Sequence, residues 1–308
     1  MKIAGNSEKL TLSYISKNRY LYIMGFVVLV WYIIFCYLPM YGIIMAFQEY
    51  SFSRGVLGST FVGFKHFINL FSDTYFMNAF RNTWIINSLR LVFVFPVPII
   101  FALMLNEVKN TKFKRTVQTV TYIPHFISWV ILSGIMGTLL ARDTGVINEV
   151  LAMTGAERID FLLDNNYIRQ TLIVSDIWKE MGWSSIIYLS TIASINPELY
   201  EAAFIDGAGR FGRLFHITIP SISNTIVVMM LLFVGRILMI GFEQIYNLYT
   251  PVVYESVDIV DTYIVRNLQE NPVFGRLAAA GMVKSGIGFI LLIIVNRLVK
   301  FFGKEGIY

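Results

Sequence analysis

Tyr200-Glu201-Ala202-Ala203-Phe204-Ile205-Asp206-Gly207-Ala208 stands between two hydrophobic spans and is followed by Phe215, Ile217, Ile219 and Pro220. A polar, helix-forming stretch with a glycine break has no reason to interrupt apolar runs unless something on the water side grips it. Its opening, Asn196-Pro197-Glu198, is a strong helix start. Asn196 can cap free amides, Pro197 suits the first helical position, and Glu198 favours the positive helix end. The pattern predicts a short helix over Pro197–Ile205, ended by Asp206 and by Gly207 in the left-handed conformation. A second amphipathic run, 210–217, turns Phe211, Leu214 and Phe215 to one side, and Pro220 then opens the next span. Two short helices at an angle make a knob for a socket on another protein. The small Ala202 and Ala203 allow close approach, and Glu201 can pair with a basic group.

Outward from this loop the chain is apolar. Of its 308 residues 56% are hydrophobic, and only 15% are charged, against roughly 25% in a soluble domain. With a mean hydropathy of +0.62, a soluble protein with buried helices is excluded, because its polar shell is missing. The reading is an all-α membrane protein with six transmembrane helices at 20–47, 83–106, 118–140, 168–193, 221–241 and 277–296, in a single transmembrane domain. Each is long enough for a hydrocarbon core of about 30 Å. The fourth is the least apolar. Pro39, Pro96, Pro98 and Pro124 fall within spans and are expected to kink them. Segment 1–19 has no cleavable signal pattern, so the apolar run after it reads as a retained helix. The single cysteine, Cys36, excludes an intramolecular disulfide.

Basic residues orient the spans. One side carries thirteen: Lys2, Lys9, Lys17, Arg19, Lys109, Lys112, Lys114, Arg115, Arg210, Arg213, Arg297, Lys300 and Lys304. The other carries eight over longer loops: Arg54, Lys65, Arg81, Arg142, Arg158, Arg169, Arg266 and Arg276. The first side is therefore cytoplasmic. Both termini, including the tail 297–308, and the loop 194–220 lie inside. The basic balance thus reads as topology, with membrane lipid and not nucleic acid as the implied partner.

The loop resembles the EAA signature of permease subunits of ATP-binding-cassette importers, through Glu201-Ala202-Ala203, Asp206-Gly207-Ala208, Ile217 and Pro220. Many members carry a further proline after Pro220, where this chain reads Ser221-Ile222-Ser223-Asn224. Gly241-Phe242-Glu243-Gln244-Ile245-Tyr246 and Asp258-Ile259-Val260-Asp261-Thr262-Tyr263 resemble the LplB branch of the maltose-permease-like group. The resemblance implies a type I ABC importer permease core with cytoplasmic coupling helices, in a bacterial cell membrane. It implies docking on two ATPase subunits through Glu201, Ala202, Ala203, Asp206 and Gly207. It also implies a second, different permease chain, an extracellular solute-binding protein, and an oligosaccharide as substrate. ATP and magnesium would sit on the ATPase subunits, with no cofactor on this chain.

Arg90, Asp176, Lys179, Glu180, Arg236 and Lys284 fall inside spans, toward the outer half. A charge at mid-bilayer costs at least about 2.5–3.5 kcal/mol, so each needs a partner or water. Asp176, Glu180 and Trp183 share one face of the fourth span, with Lys179 beside them. With Arg236 these are the candidates for the substrate path: Trp183 for a sugar's apolar face, the polar groups for its hydroxyls. The plain alternative is an Asp176–Lys179 ion pair that fixes packing. Arg236 and Lys179 could instead hold a uronate. Arg90 and Lys284 read as side chains that snorkel outward. The outer loops, including 51–73 and an amphipathic helix at 257–269, read as covers or as a seat for a binding protein.

No phosphate-binding Gly-x-x-x-x-Gly-Lys loop, His-Glu-x-x-His or Gly-x-Ser-x-Gly occurs, so the chain reads as a transport subunit and not an enzyme. The rival is a secondary transporter driven by an ion gradient, with Asp176 or Glu180 as proton site. It leaves the 194–220 loop unexplained.

Overall fold

The computed structural model describes residues 18–270 and 272–301. Lys2, Lys9, Lys17 and Lys304, used above for orientation, lie outside the described residues, as do most of the segments 1–19 and 297–308. The chain is overwhelmingly helical. Its main elements are α1 (Arg19–Phe47), α2 (Thr74–Glu107), α3 (Thr111–Tyr122), α4 (Trp129–Leu139), α5 (Ile168–Ala193), α6 (Pro197–Ile205), α7 (Arg210–Arg236), α8 (Phe242–Leu248), α9 (Val260–Glu270) and α10 (Phe274–Phe301). Shorter helices lie in the connections. A minimal antiparallel hairpin, β1 (Gln48–Glu49) with β2 (Thr60–Phe61), departs from the all-α expectation.

Among the described residues four helices, α1, α2, α7 and α10, are long and apolar enough to cross a membrane, and the α3–α4 pair makes up to five. The sequence reading has six. The difference is α5, which has the length, 26 residues, but carries Arg169, Asp176, Lys179 and Glu180 along it. The expected third span, 118–140, is not one helix. It turns by 105° between α3 and α4, because Pro124 ends the first segment in a tight turn and Ser128 starts the second by accepting from Ile131 N.

The helices run on through three other prolines. A widened turn, with main-chain bonds reaching five residues back, precedes Pro39, Pro96 and Pro220: Ile33–Tyr37, Arg90–Val94 and Leu214–Thr218. Phe95 N, for example, donates to Arg90 O at 3.0 Å. Widening the turn moves away the carbonyl that the ring would strike, so the helix continues. Residues 210–217 are therefore the first turns of α7 and not a separate helix, and Pro220 lies inside α7 instead of opening the span.

Packing concentrates at the end that carries the long loops. One apolar cluster joins Ile86 of α2, Leu132 and Met136 of α4, Leu172 of α5 and Ile245 of α8. A second joins Ala46, Leu70, Phe76, Tyr263, Ala279 and Ala280. A smaller cluster, Ala102, Tyr188, Ile192 and Ile222, holds α2, α5 and α7 together toward the other end. The first half of α1 stands clear of the bundle with its apolar side chains exposed. Apolar surface of that extent needs lipid or another membrane helix against it.

The helix expected at 257–269 runs from Val260 and is no loose cover: it buries Val260, Thr262 and Tyr263. Tyr263 Oη donates to Asp73 Oδ2 at 2.6 Å, while Asp73 Oδ1 caps α2 by accepting from Tyr75 N at 2.9 Å. One carboxylate thus starts α2 and anchors α9. Asp73→Ala is expected to cost about 2–4 kcal/mol, combining a lost cap with an unpartnered buried hydroxyl. Tyr263→Phe should cost about 1 kcal/mol. Thermal unfolding of the purified protein, with Asp73→Ala well below Tyr263→Phe, checks the order; equal midpoints would contradict it.

Candidate functional site

Two regions stand out as candidate sites among the described residues. The first is a cavity of about 1000 Å³. Its walls are Val94 and Phe95 of α2, His125 and Trp129 at the α3–α4 break, Asp176, Glu180, Trp183 and Tyr188 of α5, Phe233 and Arg236 of α7, and Ile240 to Glu243 leading into α8.

Of the residues expected on the substrate path, Asp176, Glu180, Trp183 and Arg236 face this cavity, and Lys179 does not. The alternative reading, an ion pair of Asp176 with Lys179, is absent. Asp176 Oδ2 instead accepts from Arg90 Nε at 2.7 Å. Arg90 is 1% exposed, so it does not snorkel. Its fork also donates to Ile240 O at 3.0 Å and to Gln244 Oε1, while Gln244 Nε2 donates to Leu172 O and Ser175 Oγ. Lys179 donates to three main-chain carbonyls, Pro124 O, His125 O and Ile127 O. Lys284 does not snorkel either: it is paired with both oxygens of Asp261. The reason is common to all three. A folded neighbour supplies fixed acceptors nearby, so the side chain has no need to reach for the interface.

His125, whose spacing carries no signal of a site, completes the cavity wall. Its Nδ1 lies 3.0 Å from Glu180 Oε2, and its ring stacks on Trp183 at 4.7 Å with 5° between planes. Phe126 meets the same indole edge-on at 5.3 Å. The result is a flat aromatic wall beside a carboxylate. Such a surface can take a pyranose ring on its apolar face and its hydroxyls on the polar edge. The link between positions 125 and 180 is created by the bend at Pro124, which no spacing rule reveals. Arg236 closes the last turn of α7, and no ion pair or hydrogen bond engages its guanidinium among the described residues.

The second region is the loop end at α6. Asn196 Oδ1 accepts from Glu198 N at 3.1 Å and starts the helix. It ends with Gly207 at φ +79°, with Ala208 N donating to Ala203 O at 2.8 Å and Gly207 N to Phe204 O at 3.1 Å. This pair of bonds is the Schellman stop. Glu201, Ala202, Asp206 and Gly207 are exposed, and Ala203 is half-buried. Phe204 and Ile205 are 70% and 84% exposed, a bare apolar tip that the sequence reading did not assign. Tyr200 Oη lies 3.0 Å from Thr218 Oγ1 of α7, and Arg213 stands over the Phe204 ring at 5.9 Å. Through these contacts α6 is fastened to a helix that runs to the cavity.

At the long-loop end, Asp258 binds Arg266 through both oxygens, at 3.0 and 2.6 Å. Burial opposes the Arg266 charge, but the Asp258 bonds prevail and raise its pKa. Burial, then the bond to Asp73, pushes the Tyr263 hydroxyl up. Both groups keep one charge state at any ordinary pH, so this end is a fixed frame. Among the described residues no His, Cys, Asp and Glu group could hold a metal ion.

Residues 94–304 match the family model described as binding-protein-dependent transport system inner membrane component. The chain is 44% identical to the polygalacturonan/rhamnogalacturonan transport system permease protein YteP of Bacillus subtilis (strain 168), over 95% of this chain and 91% of that one. It is 39% identical to Protein LplB of the same organism, over 96% and 92%. It also superposes on a chain from a crystal structure of a bacterial alginate ABC transporter in complex with an alginate pentasaccharide-bound periplasmic protein. That match has a TM-score of 0.89 and 39% identity, and it covers 96% of this chain and 99% of the other.

Proposed function

The chain belongs to the binding-protein-dependent transport system inner membrane components, and we propose that it is the permease subunit forming half of the path of an ATP-driven oligosaccharide importer. The chain crosses the bacterial cell membrane six times, α3–α4 and α5 included, with both termini inside. A second, different permease chain supplies the other half of the path. Two ATPase subunits carry ATP and magnesium, and one of them takes α6 into its cleft through Glu201, Ala202, Ala203, Asp206 and Gly207. An extracellular binding protein delivers the sugar to the long-loop end. ATP-driven closure of the motors moves α6, and Tyr200 and Arg213 pass that movement to α7. Inward- and outward-facing states then differ in the contacts that each makes, which is what lets ATP shift their balance.

The observation that carries this reading is the cavity: an aromatic wall of His125 and Trp183 with Glu180 and Arg236 at its edge. The ion-gradient alternative needs a titratable acid free to take a proton. Asp176 is held by Arg90, and Glu180 by His125.

The substrate we infer is acidic. One relative's name gives polygalacturonan and rhamnogalacturonan and the matched solved structure is of an alginate transporter, and Arg236 is a cavity cation that no ion pair engages among the described residues, with the Glu243 carboxylate on the same wall. Arg236→Gln should raise KM for an oligouronate about 10- to 100-fold, the worth of a charge-assisted hydrogen bond of about 1.5–3 kcal/mol. The test is uptake by the reconstituted importer with its ATPases and binding protein. ATP-dependent uptake of a galacturonate or alginate oligomer supports the reading. Equal preference for neutral oligosaccharides would overturn the acidic assignment. Uptake indifferent to ATP and collapsed by an ionophore would overturn the importer.

A further inference from the structure

Two stretches of main chain interrupt helices around the cavity. One is the α3–α4 break at Ile123–Ser128; the other is the turn from Ile237 to Gly241 between α7 and α8. A broken helix in an apolar setting leaves carbonyls without amide partners, and something must satisfy them. Here a basic side chain from a neighbouring helix does so at each break. Lys179 is 6% exposed. Its ammonium has three donors, and they meet three carbonyls of the first break: His125 O at 2.7 Å, Ile127 O, and Pro124 O at 3.2 Å, which also accepts from Ile127 N. The Trp129 ring lies 5.5 Å from the same nitrogen. At the second break Arg90 donates to Ile240 O at 3.0 Å, with its guanidinium held by Asp176. Asp176 and Lys179 lie three residues apart on α5, so one helix holds both breaks.

We propose that Lys179 and Arg90 are positioning residues. Each is a built-in cation that caps a main-chain break and so fixes the side chains the break presents to the cavity. For Lys179 those are His125, on the Trp183 stack, and Trp129. A mobile ion in the same carbonyl cage would exchange with solvent and let the wall drift; a tethered ammonium does not. The role of the wall in transport rests on the function proposed above, whereas the position of the wall does not.

The test uses the assembled importer, with Trp31, Trp84, Trp129 and Trp178 replaced by phenylalanine, and takes the emission difference from the same importer carrying Trp183→Phe, so that Trp183 alone reports. Lys179→Ala removes the ammonium and the three carbons that propylamine carries. It is expected to release the His125–Trp183 stack, changing the Trp183 emission, and to raise KM for uptake about tenfold with kcat within about threefold. Millimolar propylamine should restore both, and propanol neither. Unchanged Trp183 emission in Lys179→Ala, or equal restoration by propanol, would overturn the proposal. Should Lys179→Ala fail to assemble, propylamine present during solubilisation decides: recovered assembly supports the fixed cation, and no recovery overturns it. Trp183→Ala separates the two readings. If that variant leaves KM unchanged, the cavity is not the substrate site, while the emission test of Lys179 still stands.

Discussion

Gly207→Pro is expected to abolish uptake and the stimulation of ATP hydrolysis while leaving the protein inserted in the membrane. Proline fixes φ near −65° and carries no amide hydrogen. Gly207 sits at φ +79°, and its amide donates to Phe204 O. Both requirements fail at once, so the last turn of α6 unwinds. The Phe204–Ile205 tip then loses its place relative to Tyr200 and Arg213, the residues that fasten α6 to α7. The bundle is spared, because Gly207 is exposed and belongs to none of the apolar clusters that hold it together. Gly207→Ala strains only the backbone angle, at about 1 kcal/mol, and should retain part of the activity. A tryptophan at Ala203 should match the proline in uptake, because a small side chain there is what allows α6 to approach its ATPase closely under the proposed docking. The measurements are ATP hydrolysis and uptake by the reconstituted importer, beside the yield of the membrane-inserted chain. Uptake by Gly207→Pro at the ordinary rate would remove α6 from the coupling path.

What the sequence disclosed and what it hid divide along one physical line. Local signals survive into the structure. Asn196, Pro197 and Gly207 bound α6 at the residues where capping chemistry puts them, because each acts on its own backbone neighbours. Long apolar runs likewise became long helices. What failed depended on partners distant in the chain. Arg90 and Lys284 looked like side chains reaching for the interface, since a lone cation on an apolar helix has no other resort. Their partners, Asp176 and Asp261, lie 86 and 23 residues away. Pro220 looked like a helix start because a proline usually stops the pattern before it, and a widened turn that absorbs the ring leaves no mark in hydropathy. The α3–α4 bend was concealed for the opposite reason: the apolar run continues through Pro124 while the axis turns. His125 carries no local signal, yet the bend sets its ring against Trp183. Hydropathy therefore read the fold coarsely, and the cavity chemistry arises at the places where hydropathy is blind.

Arg90→Leu should be the most damaging substitution in the membrane-embedded part of the chain. The Arg90–Asp176 pair is shielded on both sides, with side chains 1% and 7% exposed. A buried pair of this kind adds little over well-packed apolar residues, but losing one partner strands the other charge, at about 3–5 kcal/mol. Arg90→Leu strands Asp176 and also leaves Ile240 O and Gln244 Oε1 without their donor. That is of the order of a whole domain's stability margin of about 5–15 kcal/mol. Lysine is no remedy, because a point charge cannot reach a carboxylate, an amide oxygen and a carbonyl along three directions as the guanidinium does. Gly241 belongs to the same arrangement: a Cβ there would lie 2.0 Å from Arg90 Nη1, so Gly241→Ala should displace the fork and mimic a partial loss of Arg90. The decisive comparison is between single and double variants. Arg90→Leu with Asp176→Leu removes both charges and should recover a large part of the stability that the single variant loses, since only the neutral Gln244 and Ile240 acceptors stay unpaired. Thermal aggregation of the detergent-solubilised assembly, followed by size exclusion, measures this. A single variant as stable as the parent would show that the pair bears no burial cost, and a double variant worse than the single would show that the fork, and not charge balance, holds α2 to α5.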